Sequence, residues 1–352
     1  MRLRLSTIGF LPLLVFLIGC RVNSGDIETW KGTVKGPAKI VAVALAKKYD
    51  MDLRVEAALA LVEMDRQDVD GVAELESVLR ALDEEDRAMI SDGVAQGLEK
   101  ILSGETASSA KQGDTEGPAL LEVRAKDASY MLFSQAAAAT RERLSKAIVS
   151  WFARDFNGRN LAGNYSAEQV IQKLGSAAAH QLIAALDPRM PQVALVKLAG
   201  LIGQTGDDKT KAEAATRLVE IEKEMEGPKF VAWLEQRIQE QAKESKQDVK
   251  PEALKRAALL HQENFINTGA IPAMGQLADQ KIIADRLLKI AATPSNDEDM
   301  VERRWRALAA LEGKATTAHV DTLLALALNA SNPSKVRDYA FDRLGDVRSK
   351  NA

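Results

Sequence analysis

The only cysteine of the 352-residue chain, Cys20, and its three histidines are the first residues to consider for chemistry. A single cysteine forms no internal disulfide and no site with several thiolate ligands. His180, His261 and His319 lie far apart in the sequence and form neither an HExxH motif nor an i, i+4 pair. The sequence therefore gives little support to a zinc site or to histidine-based catalysis, and we predict a structural role for each histidine at a helix start or on a helix face.

One short match to a catalytic motif lies in the polar stretch 103–117. Ser108 and Lys111 have the S-x-x-K spacing, in which a lysine one helical turn from a serine activates its hydroxyl. The accompanying motifs S-D-N and K-T-G do not occur, and no strand is predicted around the match. We interpret it as a chance occurrence.

The segment 200–210, GLIGQTGDDKT, is rich in glycine, and backbone amides at a glycine-rich turn can bind phosphate. A phosphate-binding loop needs a preceding strand and a Gly-Lys-Ser/Thr ending, and neither is found here. We therefore predict a helix that ends at Gly203, followed by a turn through Gly206.

Two runs of carboxylates lie at predicted helix starts, where acidic side chains complement the helix dipole and need no catalytic role. They are Glu84, Glu85 and Asp86, and Asp297, Glu298 and Asp299. The four tryptophans are spread along the chain, and we expect them to pack in the core unless an exposed one anchors a partner. They are Trp30, Trp151, Trp233 and Trp305.

The N-terminus has the features of a secretory signal. Arg2 and Arg4 precede the apolar stretch 8–18, which is too short to span a bilayer core of roughly 30 Å as a helix. The residues LIGC follow at 17–20, and this pattern resembles the lipobox of bacterial lipoproteins. The resemblance implies a signal peptide over 1–19 and a diacylglycerol thioether on Cys20, usually with a further acyl chain on the new amine.

Two or more acyl chains hold a protein firmly on a membrane, because each buried CH₂ contributes about 0.8 kcal/mol. The resemblance thus implies a lipid-anchored protein of the bacterial cell envelope that faces the periplasm. Arg21 differs from the aspartate that retains lipoproteins in the inner membrane of enteric bacteria, so we expect the outer membrane. The alternatives are an uncleaved anchor, or a cysteine that occurs by chance in an ordinary signal peptide.

Charge and composition restrict the partners. The chain has 47 Lys and Arg against 50 Asp and Glu, a net charge of -3, and loss of Arg2 and Arg4 with the signal leaves about -5. Nucleic-acid binding needs a basic stripe that neutralises phosphates, so we expect no nucleic-acid partner. The residue patterns also predict no cofactor and no metal.

After residue 30 the sequence predicts an all-α protein. Ala, Leu, Lys, Arg and Glu are abundant, and an alternating strand pattern is almost absent. Gly-Pro pairs predict helix starts at Pro37, Pro118 and Pro228, since proline is tolerated in the first helical turn. Ser166 and Gln169 have the spacing of a capping box and predict another helix start.

Two predicted helices near opposite ends of the chain share one spacing of apolar residues, which places each set on one helix face. The sets are Leu53, Ala57, Leu61 and Met64, and Val336, Ala340, Leu344 and Val347. Arg54 and Arg337 each follow the first apolar residue of their set. In a third segment Arg304 occupies this place, and Arg303 stands where an apolar residue is expected.

An apolar residue followed by Arg, Ala and Leu-Gly, as at 336–345, resembles the second helix of a HEAT repeat. HEAT repeats are helix pairs of about 40 to 47 residues that stack into a solenoid. The resemblance implies an α-solenoid of stacked antiparallel helix pairs; a non-repetitive helical array is the alternative. The expected organisation is a lipidated N-terminus and tether over 20–35, HEAT-like pairs over 36–102, a polar linker over 103–117 and a HEAT-like array over 118–349.

Two functional hypotheses remain open. The first is a non-catalytic scaffold, anchored through Cys20, whose solenoid surface binds another protein, because stacked repeats form long surfaces of separately variable side chains. The alternative is a helical envelope enzyme with a groove lined by carboxylates, which requires acidic residues from distant repeats to meet in a cleft.

Overall fold

The structure is a computed structural model that describes residues 22–64, 66, 68–104, 119–246, 249–295 and 297–350. Over these residues the protein is all-α, and no strand occurs in them, which confirms the predicted fold class. Cys20, the signal segment and the S-x-x-K match at 108–111 lie outside the described residues.

The α-helices of the described ranges are numbered in chain order. They are α1 Ser24–Lys31, α2 Gly36–Leu45, α3 Met51–Glu63, α4 Gly71–Ala81, α5 Glu84–Ser103, α6 Leu120–Leu132, α7 Ala138–Arg154, α8 Phe156–Arg159, α9 Ala167–Leu174, α10 Ser176–Leu182, α11 Gln192–Thr205, α12 Asp208–Glu226, α13 Pro228–Glu244, α14 Pro251–Phe265, α15 Ile271–Gly275, α16 Lys281–Ala292, α17 Glu298–Ala309, α18 Val320–Leu328 and α19 Ser334–Lys350. Short 3-10 turns cover Ile183–Ala185 and Thr317–His319, and a π-helical turn covers Ile266–Ala270.

Neighbouring helices stack in two rows at both ends of the described chain. In the N-terminal part α2, α4 and α6 pack in sequence, and α3, α5 and α7 pack in sequence beside them. In the C-terminal part α16 packs on α18 and α17 on α19, while α11 and α15 connect this stack to the centre. One continuous apolar core accompanies the helices, from Ile27 in α1 to Val347 in α19.

Arg54 connects three helices of the N-terminal stack. Its side chain is 3% exposed, and its Nε donates to the carbonyl oxygen of Ala44, the penultimate residue of α2, at 3.0 Å. Its Nη2 donates to Oδ2 of Asp86, in the first turn of α5, at 2.9 Å. One guanidinium therefore fixes α3 both to its partner α2 and to the next helix in the row.

Arg304 makes the corresponding contacts in the C-terminal stack. Its Nε donates to the carbonyl oxygen of Ala291, the penultimate residue of α16, at 2.8 Å. Its Nη2 donates at 2.6 Å to Oδ1 of Asn332, two residues before α19. The amide of Asn332 donates in turn to the carbonyl oxygen of Leu326 in α18. The shared arginine position of the sequence thus corresponds to a shared set of bonds in these two pairs.

The N-terminal segment departs from the predicted tether over 20–35. Asn23 and Asp26 form a reciprocal capping box that begins α1, and the buried Ile27 packs this helix against the core. Helix α1 contacts both α2 and α3, and Ser24 Oγ donates to Oε2 of Glu56 in α3 at 2.7 Å. The tether prediction is wrong from Asn23 onward, because this segment is part of the folded array.

The helical run from Pro251 to Gly275 widens at its centre. Pro272 has no N–H and cannot continue the regular ladder of i to i−4 hydrogen bonds, and the π-helical turn ends two residues before it, at Ala270. Asn267 and Thr268 lie in this turn.

Helix α11 does not end at Gly203 as predicted, but continues to Thr205 with Gly206 as its C-cap. Gly203 instead permits a close approach of helices. A Cβ at this position would lie 3.1 Å from the carbonyl oxygen of Gln276 and 3.2 Å from Cδ2 of Leu277. The glycine therefore serves helix packing, which explains its place inside the helix.

Candidate functional site: the groove between α14 and α17

A polar groove of about 320 Å³ lies between α14 and α17, beside the π-helical turn. Its lining combines three carboxylates, two amides, an imidazole, a hydroxyl, a guanidinium and one leucine. These residues include Leu260, Glu263, Asn267, Asp299, Glu302 and Arg306. Leu260 is 64% exposed, so an apolar side chain lies at the mouth of an otherwise polar site.

Two buried side-chain oxygen atoms of the groove residues lack a hydrogen-bond partner within the described part of the chain. Asn267 is 5% exposed, and its Oδ1 is buried and unpaired. Glu263 accepts a bond from Nη2 of Arg303 at 2.7 Å through Oε1, while its buried Oε2 has no partner. Buried polar atoms are nearly always paired in folded proteins, so both acceptors have capacity for a donor supplied from outside the chain.

The charge around these acceptors is negative. Asp299 is exposed in the first turn of α17, and its carboxylate forms no ion pair with the described residues. Glu302 is paired with Nε of Arg306 at 2.7 Å, one helical turn along α17. Three carboxylates, those of Glu263, Asp299 and Glu302, therefore face two guanidiniums, those of Arg303 and Arg306.

An ionic network behind the groove holds its walls together. Glu222 in α12 is fully buried, and both of its oxygens accept bonds from Arg286 in α16, at 2.8 and 2.7 Å. Arg286 also contacts Glu226 at 3.0 Å. Arg303 in α17 joins Glu226 to Glu263, at 2.7 Å each. Four helices are connected through these five side chains, and Arg303 is the residue that occupies an apolar position of the repeat pattern.

This network bears on the hypothesis of a carboxylate-lined enzyme groove. It does bring acidic residues of separate helices together, and burial raises the pKa of Glu222, an effect opposed by the bonds from Arg286. Each of these carboxylates nevertheless binds an arginine, and Glu222 has no access to solvent. The arrangement is that of a structural clasp, whose only unpaired oxygen is Oε2 of Glu263.

The histidines lie apart from one another. His180 is on α10, with Nδ1 3.2 Å from Oε2 of Glu213. His319 is 9% exposed in the turn before α18, where Nδ1 accepts the backbone N–H of Thr316 at 3.2 Å. His261 is exposed on α14 and also lines the groove. No group of three or more His, Cys, Asp or Glu side chains in the described ranges is arranged to hold a metal ion.

Both runs of carboxylates lie at helix starts, as expected. Asp86 is 7% exposed and binds Arg54, whose hydrogen bond lowers the pKa of the Asp86 carboxyl. Asp297 caps α17 by accepting the backbone N–H groups of Asp299 and Met300. Asp299 follows and lines the groove.

The tryptophans pack, as expected, but only one of them is fully buried. Trp151 is 0% exposed, and its Nε1 donates to Oε2 of Glu122 at 2.7 Å. The other three are half-buried, and each has a cationic side chain over its ring. Tyr339 stacks on Trp305, and Lys335 Nζ lies 3.6 Å from the centroid of its ring.

A second cavity, of about 290 Å³, lies between the 156–168 segment and α11. Its lining residues include Phe156, the exposed Leu161 and Gln276. All side-chain oxygens of these lining residues that are buried have partners, so we place the candidate site in the groove between α14 and α17.

Comparison of the chain with protein-family models, with curated proteins and with solved structures finds no match. Within the described residues, no helix combines the length and apolar character needed to cross a membrane.

Proposed function

We propose that the protein is a lipoprotein of the bacterial cell envelope, anchored through acyl chains on Cys20, that serves as a non-catalytic scaffold for another protein. The observation that carries this proposal is the ordered stacking of helix pairs, with equivalent arginine contacts at Arg54 and Arg304. Stacked pairs form an extended surface, which suits recognition of a partner better than enclosure of a small substrate. The HEAT-like solenoid is part of the proposal.

The anchor is supported by the signal-like N-terminus and the LIGC pattern at 17–20. Helix α1 begins at Ser24, so only three residues separate Cys20 from the first helix. A lipid-anchored Cys20 would therefore hold α1 and the N-terminal stack close to the membrane surface, with little freedom to move away from it.

The anchor is tested with Cys20→Ser in the full chain, by labelling with an alkyne fatty acid and by membrane fractionation. We expect the wild-type protein to be labelled and membrane-bound, and Cys20→Ser to be neither labelled nor cleaved before residue 20. Arg21→Asp keeps the cysteine and is the matched control, so it should still be labelled. Acyl labelling of Cys20→Ser at the wild-type level would contradict the anchor.

A further inference from the structure

The groove between α14 and α17 has the features of a binding site for a cation. The unpaired Oδ1 of Asn267 and the unpaired Oε2 of Glu263 are hydrogen-bond acceptors, one from the π-helical turn and one from the turn before it. Neither can be satisfied by a ligand that offers acceptors alone. A ligand that pairs these two oxygens must donate hydrogen bonds.

The excess of negative charge in the groove favours a positively charged hydrogen-bond donor. Asp299 is exposed and unpaired among the described residues, and the groove carries three carboxylates against two guanidiniums. A bond between a cation and a carboxylate is roughly twice as strong as a neutral hydrogen bond, so a charged donor gains more here than an amide or hydroxyl. An anion in this groove would face more carboxylates than guanidiniums, which disfavours its binding.

The exposed Leu260 indicates what is attached to the cation. A free metal ion or a small amine would leave this side chain in water, whereas a lysine side chain carries a long apolar stem before its ammonium. The ammonium has three donors, one for each of Asn267 Oδ1, Glu263 Oε2 and the carboxylate of Asp299, and all three residues line the same groove.

We propose that this groove binds a lysine side chain of a partner protein, with the ammonium at Asn267, Glu263 and Asp299 and the stem against Leu260. That the ligand is a segment of protein rests on the proposed scaffold function. The preference of the groove for a cation depends only on its own side chains.

The test uses the purified full chain in detergent micelles and two fluorescein-labelled heptapeptides, one with a central lysine between leucines and one with norleucine in its place. Binding is measured by fluorescence anisotropy. We expect saturable binding of the lysine peptide, at least about fivefold weaker binding of the norleucine peptide, and weaker lysine binding as salt is raised. Equal binding of the two peptides, or no binding of the lysine peptide, would overturn the proposal.

Asp299→Asn localises the effect, because Asp299 is exposed and its replacement leaves the clasp behind the groove intact. Glu298→Gln is the matched control, with the same loss of charge one position away and outside the groove lining. We expect roughly fivefold weaker binding for Asp299→Asn and less than about twofold for Glu298→Gln. Equal effects of the two variants would show a general charge effect and contradict a site at Asp299.

Asn267→Ala is the second variant and removes the unpaired amide oxygen. We expect this variant to bind the lysine peptide more weakly and to bind the norleucine peptide with unchanged affinity. Circular dichroism checks that the variant is folded. Unchanged lysine binding would remove Asn267 from the site. If the peptide tests fail but a partner protein is crosslinked elsewhere on the surface, the lysine-binding proposal is wrong and the scaffold proposal is retained. The two proposals can therefore be tested separately.

Discussion

Arg54 and Arg304, near opposite ends of the described chain, make the same two kinds of hydrogen bond. Each donates Nε to the carbonyl oxygen of the penultimate residue of the preceding helix, Ala44 or Ala291. Each donates Nη2 to a side-chain oxygen near the start of a helix in the next pair, from Asp86 or Asn332. The repeated arginine position therefore has the same contacts at Arg54 and Arg304, whereas Arg337, which follows the same pattern in the sequence, has a buried Nε with no hydrogen-bond partner among the described residues.

Replacement of Arg54 by Met should destabilise the N-terminal stack, because it removes two hydrogen bonds from a charged and almost fully buried donor. We expect a loss of about 2–3 kcal/mol in the free energy of unfolding, measured by urea denaturation, and a comparable loss for Arg304→Met. Arg80→Met, which breaks an exposed i, i+4 pair with Glu76, is the control and should cost no more than about 0.5 kcal/mol. Similar losses for Arg54→Met and Arg80→Met would mean that the buried contacts contribute little.

The bond between Arg54 and Asp86 also predicts a pH dependence. The hydrogen bond from Arg54 lowers the pKa of the Asp86 carboxyl below its ordinary value of 3.8. A carboxyl whose pKa is lowered by folding stabilises the native state above its unfolded pKa, and this contribution is lost as the pH falls through the folded pKa.

We therefore expect wild type to exceed Asp86→Asn in stability above about pH 4, with the difference shrinking at lower pH. Urea midpoints measured between pH 2 and pH 6 would test this. A difference that is independent of pH, or that grows on acidification, would contradict a lowered pKa at Asp86.

The clasp behind the groove predicts a strong effect of Arg286→Met, since it leaves the fully buried Glu222 without its bidentate partner. Removal of one member of a buried ion pair costs about 3–5 kcal/mol, whereas replacement of both members by apolar residues is often nearly neutral. We expect the double variant Glu222→Met/Arg286→Met to recover most of the stability lost in Arg286→Met. Lys281→Met in the same helix, which breaks only an exposed pair with Asp285, is the control. Additive losses in the double variant would contradict a coupled pair.

Lys126 holds the 160–166 loop between α8 and α9. Its Nζ is buried and donates to Oδ1 of Asp127 and to the carbonyl oxygens of Ala162 and Tyr165. Lys126→Met leaves these acceptors unpaired, and we expect a loss of about 2–3 kcal/mol together with faster proteolysis in the loop. Lys146→Met, on the exposed face of α7, is the control and should change neither the free energy of unfolding nor the rate of proteolysis in the loop. An intact, protease-resistant loop in Lys126→Met would show that Lys126 does not hold it.

The sequence predicted local features better than their assembly. The capping box of Ser166 and Gln169 is present, and Ala57, Leu61 and Met64 are buried as their spacing predicts, because both depend on neighbouring residues of one helix. The tether prediction failed at α1, although Asn23 and Asp26 have capping-box spacing that could have revealed the helix.

The groove between α14 and α17 could not be predicted from the sequence. Its two unpaired acceptors come from α14 and the π-helical turn, while Asp299 comes from α17, and only the packing of these helices brings them to one cavity. Arg303 gave a partial signal, since a charged residue at an expected apolar position points to a buried partner. The identity of that partner, Glu226 together with Glu263, depends on the tertiary fold.

Photo-crosslinking in the native host tests most directly the central claim that this protein is an anchored scaffold whose groove holds a partner. A photoreactive amino acid replaces the exposed Leu260 at the groove, and in a matched variant it replaces the equally exposed Val193 on α11. We expect a discrete protein adduct from the Leu260 position in the membrane fraction, lost in Cys20→Ser and reduced in Asp299→Asn, and none from the Val193 position. The absence of any adduct at Leu260, or the same adducts at both positions, would contradict the account.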